Sequence, residues 1–324
     1  MNTVAALLAA ALVTATGIVF GACGGGAEPG APRGATLVLD FQPNAVHSGI
    51  YAGLENGLYD DAGVELEVEQ PSSTSDAPKL LRAGRAEFAI LDIHDLGLAR
   101  EQGFDIVAVA PIIRRPLAAV IAADGEQIRR PADLAGAQVG VTGVPSDDAV
   151  LDSVLESGGL DPASVDRVVI GFEAVPTLAA GRLDAATAFW NAEGVALRRR
   201  GVPTREFRVD RFGAPRYPEL VLVTTGELIE SDPELVSGVV DATVSGYEFV
   251  VDDPASGLDA LLAGASGLDA AEQEAQLDAL LPALSPVGRF DVDVLRAWSR
   301  WDVEHGILES PVDIDAAFDT NYVD

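Results

Sequence analysis

Two hydrophobic periods alternate along this chain. Apolar runs of strand length stand at 36–39, 65–68, 88–91, 106–109 and 118–122, and the stretches between them carry apolar residues at helical spacing. Helices are expected between the strands, for example over 75–82 and 95–101. Because strands that alternate with helices favour βαβ units, the pattern predicts a largely parallel α/β sheet.

A second cycle of the same kind begins at Pro131. Its predicted elements are strand 138–141, helix 147–156, strand 168–171, helix 175–181 and strand 185–189. An apolar run at 219–224 then predicts a strand that returns to the first half, and helices follow, the last over 292–305. The sequence therefore predicts an α/β protein of two doubly wound lobes joined by a two-strand hinge, with 36–120 plus 223–324 in lobe one and 121–222 in lobe two.

The corner at 40–47 is where the first predicted strand ends. Pro43 and Asn44 break the strand, and His47, Ile50 and Leu54 then recur at helical spacing. Ligands of open α/β sheets bind outside the carboxyl ends of strands, near helix N-termini. We therefore expect binding chemistry at 40–47.

Three side chains of this corner are candidate ligand contacts. Phe41 offers an aromatic face for a flat ring, where stacking adds roughly 0.5–1.5 kcal/mol, or it belongs to the core. Asn44 both donates and accepts, which suits a polar ligand edge, or it is a turn residue. His47 lies on the apolar side of the predicted helix, so it is either a ligand contact or a structural histidine.

Other candidates follow later strands. Asp92 and His94 come directly after the run at 88–91, in the next loop expected to face the crevice. Trp190, Asn191 and Glu193 follow the last predicted strand of lobe two; the alternative is a core Trp and a Glu on a solvated helix start. A further candidate, Tyr217, lies directly before the returning strand.

Composition limits the function classes. The 324 residues carry 21 Lys and Arg against 51 Asp and Glu, a net charge of −30, so a nucleic-acid partner is not expected. The single cysteine excludes a disulfide framework within the chain. No zinc-ligand spacing or phosphate-binding Gly-rich loop is present in the sequence, and we expect no metal and no cofactor.

The amino-terminal segment has the pattern of an export signal. An apolar run over 4–20 ends in Phe20-Gly21-Ala22-Cys23, which is typical of a lipoprotein signal peptide (1–22) whose Cys23 becomes lipidated. The alternative is a plain secretory signal with an incidental cysteine. Residues 23–35 are rich in Gly and Pro and predict a flexible linker. Either alternative predicts an exported, extracytoplasmic protein, and the first anchors it to the cell membrane.

These motifs together resemble those of the thiamine-pyrimidine-precursor binding family of ABC importers, which has the type II periplasmic binding protein fold. The resemblance rests on 40–47, Gly53-Leu54-Glu55-Asn56-Gly57-Leu58-Tyr59, Ala62-Gly63-Val64 and the aromatic-Asn-x-Glu signature at 190–193. It implies that Trp190 stacks on a heterocyclic ligand while Asn191 and Glu193 hydrogen-bond it, and that Tyr217 forms a pocket wall. It also implies a monomer that docks on permease and ATPase subunits.

Two alternatives stay open beside this one. The same family's fold includes a eukaryotic synthase of the thiamine pyrimidine, which needs a pyridoxal-phosphate lysine; that position falls near Leu91 here, and the sole lysine is Lys79. The synthase histidine falls at or next to His94. We therefore predict a binding protein and no enzyme. The other alternative is a sulfonate or flavin cargo, and a sulfonate would need cationic donors where the candidates are aromatic, amide and carboxylate groups.

Overall fold

The computed structural model describes residues 32–72, 76–123, 127–171 and 173–323. The predicted signal peptide 1–22, Cys23 and the predicted linker as far as residue 31 lie outside these ranges.

The described residues form ten strands and thirteen α-helices. The strands are β1 (Arg33–Val38), β2 (Val64–Glu69), β3 (Phe88–Asp92), β4 (Ile106–Ile113), β5 (Ala118–Ala123), β6 (Gln138–Val141), β7 (Asp166–Val169), β8 (Ala185–Phe189), β9 (Thr204–Arg208) and β10 (Leu220–Thr225). The helices are α1 (Ser48–Glu55), α2 (Leu58–Asp61), α3 (Ala77–Arg82), α4 (Ile93–Glu101), α5 (Pro145–Ser157), α6 (Ala174–Ala179), α7 (Glu193–Arg199), α8 (Gly226–Ser231), α9 (Pro233–Asp252), α10 (Pro254–Gly264), α11 (Ala270–Leu284), α12 (Val292–Glu304) and α13 (Ile314–Ala317).

Strand β1 begins inside the segment predicted as linker, so that prediction is wrong for 33–35. Arg33 to Ala35 pair in parallel register with β2, and the Arg33 guanidinium donates to Asp232 at 2.6 Å and to Glu234 at 2.8 Å. The Gly and Pro content up to residue 34 is typical of a linker, and the contacts that make 33–35 a strand, with β2 and with residues 232 and 234, cannot be inferred from the local sequence.

Two five-stranded sheets follow the predicted parallel pattern. The strand orders are β2-β1-β3-β10-β4 and β7-β6-β8-β5-β9. In each sheet four strands run parallel, and the single antiparallel strand, β10 or β5, is the one that arrives from the other sheet. The prediction of largely parallel sheets is confirmed.

The ends of some strands differ from those predicted. Strand β4 continues to Ile113 rather than 109, because Pro111 sits at a register shift against β10, where a missing N–H is tolerated. Strand β7 spans Asp166–Val169, two residues earlier than expected, and the backbone turns at Gly171 with φ +55°.

The two chain crossings between the sheets are bonded to each other. The first runs through 114–117 and the second through 209–219. Buried Glu219 joins them, because its carboxylate accepts the Leu117 N–H at 2.7 Å while its carbonyl accepts the Ile93 N–H at 3.0 Å. The chain thus changes sheet a few residues before 120 and 222, and the lobe boundaries at those positions stay predictions.

Strand alternation divides the apolar core into two clusters, one on each side of the sheets. In β10, Val221 and Val223 belong to one cluster and Leu220 and Leu222 to the other. Strand β5 divides in the same way. Each cluster contains residues from both sheets, so the apolar core continues through the hinge.

Helix α9 fixes the position of α1 below the corner at 40–47. Tyr247 of α9 donates its hydroxyl to the Val46 carbonyl at 2.7 Å, and its ring lies against Gly49. A Cβ at Gly49 would lie 2.3 Å from the Tyr247 ring, so only glycine permits this approach. This close packing holds the start of α1 in place.

Candidate functional site

The corner after β1 is a closed network of hydrogen bonds. His47 is buried, its Nδ1 accepts the Asn44 N–H at 3.2 Å, and its Nε2 lies 2.8 Å from Asp40 Oδ1. Because Nδ1 accepts, Nε2 carries the proton and donates it to Asp40. The Asn44 side chain caps the 3-10 turn over 45–47, accepting from Val46 N at 2.9 Å and donating to the Gln42 carbonyl at 3.0 Å.

These contacts give Asn44 and His47 structural roles, and their roles in ligand binding stay predictions. Phe41 differs, since it is 41% exposed at the same corner. Its role in stacking on a ligand also stays a prediction.

The loop after β3 leads into a buried charged cluster. Asp92 caps α4 by accepting the His94 N–H at 2.7 Å, and His94 Nδ1 lies 2.9 Å from Asp302 Oδ2 of α12. Burial alone would lower the pKa of His94, but the charges of Asp302 and Asp92 outweigh it and raise the pKa to about 9. His94 is therefore an imidazolium at neutral pH.

Tyr217 packs edge-on against this imidazole, with ring centroids 4.9 Å apart. Burial, and then the charges of Glu219 and Asp92, raise the pKa of Tyr217 well above its usual value, so the hydroxyl keeps its proton. Burial and then Asp92 also raise the pKa of Glu219 to about 8. Within the described residues, Tyr217 Oη and His94 Nε2 have no hydrogen-bond partner.

The cluster after β8 is also buried. The Trp190 indole donates to the Pro116 carbonyl at 3.0 Å, and the Arg208 guanidinium lies 3.9 Å above its ring. Glu193 accepts the Phe189 N–H at 3.0 Å, and burial raises the pKa of its carboxyl. Asn191 is 1% exposed, and among the described residues its Oδ1 has no partner.

The nine predicted site residues thus fall into three groups at the carboxyl ends of strands. The groups are Phe41, Asn44 and His47 after β1; Asp92, His94 and Tyr217 beside the hinge; and Trp190, Asn191 and Glu193 after β8. The group after β1 and the group beside the hinge are electrostatically linked, since the Asp40 charge contributes to the raised pKa of Asp92. Whether they contact a ligand stays a prediction.

Sequence reasoning missed several polar partners in these groups. Glu219 was seen only as the start of a strand, and Asp302 only as a member of the last helix. Arg115 of the first crossing pairs with the buried carboxylate of Asp210 in the second. Each partner lies about a hundred residues or more from the group it serves, and one sequence carries no signal for such pairs.

Two cavities on the described part of the molecule lie away from these groups. One of about 420 Å³ lies between the α3 and α8 segments and is lined by Arg82, Phe104 and Leu228; the other, of about 320 Å³, lies beside Tyr51 and Gly264. Over the described ranges, no three His, Cys, Asp or Glu side chains are arranged to hold a metal ion. Nor does any helix there have the length and apolarity to cross a membrane.

Comparison with known proteins gives relatives of two kinds. The chain is 31% identical to the formylaminopyrimidine-binding protein of Halalkalibacterium halodurans over 87% of this chain and 88% of that protein. It is 23% identical to the 4-amino-5-hydroxymethyl-2-methylpyrimidine phosphate synthase of Legionella pneumophila over 68% and 70% of the two chains.

The fold is also that of a solved periplasmic binding protein. The periplasmic aliphatic sulphonate binding protein of Escherichia coli superposes with a TM-score of 0.73 at 16% identity, over 88% of this chain and 91% of that one. The predicted two-lobe periplasmic binding protein fold is thereby confirmed. The family model described as NMT1/THI5 like matches residues 44–256, and the chain belongs to that family.

Proposed function

We propose that this protein is the extracytoplasmic solute-binding component of an ABC importer, and that it binds a formylaminopyrimidine-type or hydroxymethyl-type thiamine precursor between its lobes. The observation that carries the proposal is the 31% identity to a formylaminopyrimidine-binding protein over nearly the whole of both chains. The chemistry of the group after β8 agrees, because an amide and a carboxyl group suit ring nitrogens and an amino group.

Burial of the candidate residues means that binding requires the lobes to open. Trp190, Asn191 and Tyr217 are all buried in this structure, so a cargo reaches them only if the lobes separate at the crossings 114–117 and 209–219. Hinged closure around a ligand is the common behaviour of this fold. The cargo favours the closed form only by its differential affinity for that form.

A binding protein accounts for the chain better than a synthase does. The position expected for the cofactor-bearing lysine is near Leu91, which is buried in β3 as an aliphatic core residue. The relative with the greater identity and coverage is a binding protein. Incubation with pyridoxal phosphate should therefore give no Schiff-base absorbance band, and a band abolished by Lys79→Met would refute the binding-only proposal.

Isothermal titration with an aminomethyl-pyrimidine precursor tests the cargo, with taurine and riboflavin as comparators. We expect binding of the pyrimidine alone, lost in Trp190→Ala and Glu193→Ala. Binding of only taurine or riboflavin would replace the cargo and keep the protein class. Lipid anchoring through Cys23 is proposed as well, and labelled fatty acid incorporated into wild type but not into Cys23→Ser would support it.

A further inference from the structure

Three buried amides have an unpaired oxygen in the part of the chain that the structure describes. They are Asn191, Gln273 and Gln276, with side-chain oxygens that accept no hydrogen bond and residues only 1%, 6% and 5% exposed. A buried polar atom without a partner destabilises a fold, so each one needs an explanation. Asn191 was a sequence candidate; the two glutamines were not.

Both glutamines lie on α11, which bridges the two lobes. The helix contacts the 3-10 turn at 45–47 in lobe one and α7 in lobe two. Its N-cap residue Asp269 pairs with Arg199 at the end of α7 at 3.6 Å, and near its other end the Ala283 carbonyl accepts the Arg114 N–H at 3.0 Å. Helix α11 therefore runs alongside the lobe junction from α7 to the first crossing.

The buried face of α11 changes character along its length. Gln273, Gln276, Leu277, Leu280 and Leu284 follow one another at helical spacing and are all buried. The leucines pack in the apolar cluster that also holds Val46 and Trp190. Aliphatic side chains would satisfy packing over the whole face, yet amides replace them near the amino-terminal end of α11, the end whose N-cap Asp269 pairs with Arg199 of α7.

The contact between α11 and α7 brings this end of α11 to the helix that begins at Glu193. The charge of Glu272 is also among those that raise the pKa of the Glu193 carboxyl, which agrees with that contact. Gln276 Nε2 donates to Glu272 Oε1 at 3.2 Å, which fixes the orientation of the Gln276 amide and leaves its oxygen as an acceptor. Only Ala192 separates Asn191 from Glu193 in the chain, so Asn191 directly precedes the helix that α11 contacts.

We propose that Gln273 and Gln276 of α11, together with Asn191, form an amide wall that accepts hydrogen bonds from N–H groups of the cargo. This inference rests on the proposed function and adds the helix that confers specificity. Amide oxygens pair with an exocyclic amine, a formamide N–H or a protonated ring nitrogen, and they repel the oxygens of a sulfonate. The wall thus selects amino-heterocycles over oxyanions.

The test uses the near-isosteric variants Gln273→Met and Gln276→Met, with exposed Gln102→Met at the end of α4 as the matched control. Titration with the aminomethyl-pyrimidine precursor should give a Kd at least tenfold weaker in each wall variant, which is about 1.4 kcal/mol. The ligand-free Tm of both should equal or exceed that of wild type, because each substitution removes a buried amide oxygen that has no partner among the described residues, and the bond lost from Gln276 Nε2 goes to a part-exposed carboxylate. The control should change neither quantity.

The combination of weaker binding and undiminished stability is what separates a ligand contact from a structural amide. A Kd unchanged in both variants, or a lowered ligand-free Tm, overturns the amide wall while the proposed function stands. If wild type itself binds no aminopyrimidine, the proposed function fails and the inference fails with it.

Discussion

The buried pair of His94 and Asp302 makes a prediction whose size follows from one pKa. The pKa of His94 is raised from 6.5 to about 9, and at 1.36 kcal/mol per pKa unit this corresponds to roughly 3 kcal/mol in favour of the folded state. The pKa of Asp302 is itself raised, because its burial outweighs the effect of His94, and this offsets part of the gain. We expect Asp302→Asn to lower the free energy of unfolding by about 2–3 kcal/mol near pH 6.

The pH dependence distinguishes an electrostatic effect of this pair from an effect of packing. Since the folded state holds the extra proton, the stabilisation is fully present below about pH 6.5 and is lost as the pH rises through about 9. Asp302, Asp92 and Glu219 are the carboxyl groups that raise the pKa, and the substitution removes the one that also bonds to the imidazole.

Urea unfolding of wild type and Asp302→Asn near pH 6 and near pH 9.5 measures the effect, with exposed Asp278→Asn as control. The difference between wild type and variant should shrink markedly at the higher pH, while the control stays within about 0.5 kcal/mol at both. A loss of the same size at both pH values would show that the pair acts through packing and refute the electrostatic argument.

Other predictions concern the hinge and the packing of α1. Glu219→Gln keeps an acceptor for the Leu117 N–H but removes the titrating carboxyl group. The pKa of Glu219 is raised to about 8 in the folded state. Wild type therefore loses stability as the pH rises from about 4.5 through 8. The variant should therefore unfold at higher urea concentration than wild type near pH 9 and similarly near pH 5, and a variant less stable near pH 9 would contradict this. Gly49→Ala should cost about 1–3 kcal/mol in thermal or urea unfolding, because its Cβ would overlap the Tyr247 ring. The matched Gly34→Ala, with open space around it, should be nearly neutral, and equal effects in the two would exclude the overlap as the cause.

The fold was predictable because its information is local. Strand β6 lies at 138–141 as expected, and β3, β5 and β8 deviate by at most one residue, since short apolar runs bounded by Gly, Pro or Asp define them. The exceptions have non-local causes. Arg33 extends β1 through partners at 232 and 234, and Pro111 is tolerated within β4 because β4 is an edge strand with a register shift against β10 there.

The placement of the candidate residues at strand ends was predictable, but their bonding was not. The carboxyl ends of strands could be predicted from the alternation, and Asp92, Trp190 and Asn191 lie at or directly after such ends of β3 and β8. The partners of these residues come from elsewhere: Asp302 is about 200 residues from His94, and Arg208 covers a face of Trp190 that was expected to meet the ligand. The periodicity of a single sequence does not predict which side chains of different elements pair with each other.

Both buried groups beside the hinge leave polar atoms unpaired among the described residues, but they differ in kind: Tyr217 Oη, His94 Nε2 and Asp302 Oδ1 in the first, and amide oxygens in the second. In the group around His94 the charges are matched within the protein, because the imidazolium faces Asp302 and the Glu219 carboxyl, with its raised pKa, is bonded to the first crossing. The group after β8 has amide oxygens without partners, on Asn191 and on the facing α11. Because a cargo gains most where it satisfies groups that the protein leaves unsatisfied, a cargo that donates N–H groups should gain most from the acceptor oxygens on the side of the junction formed by α7 and α11.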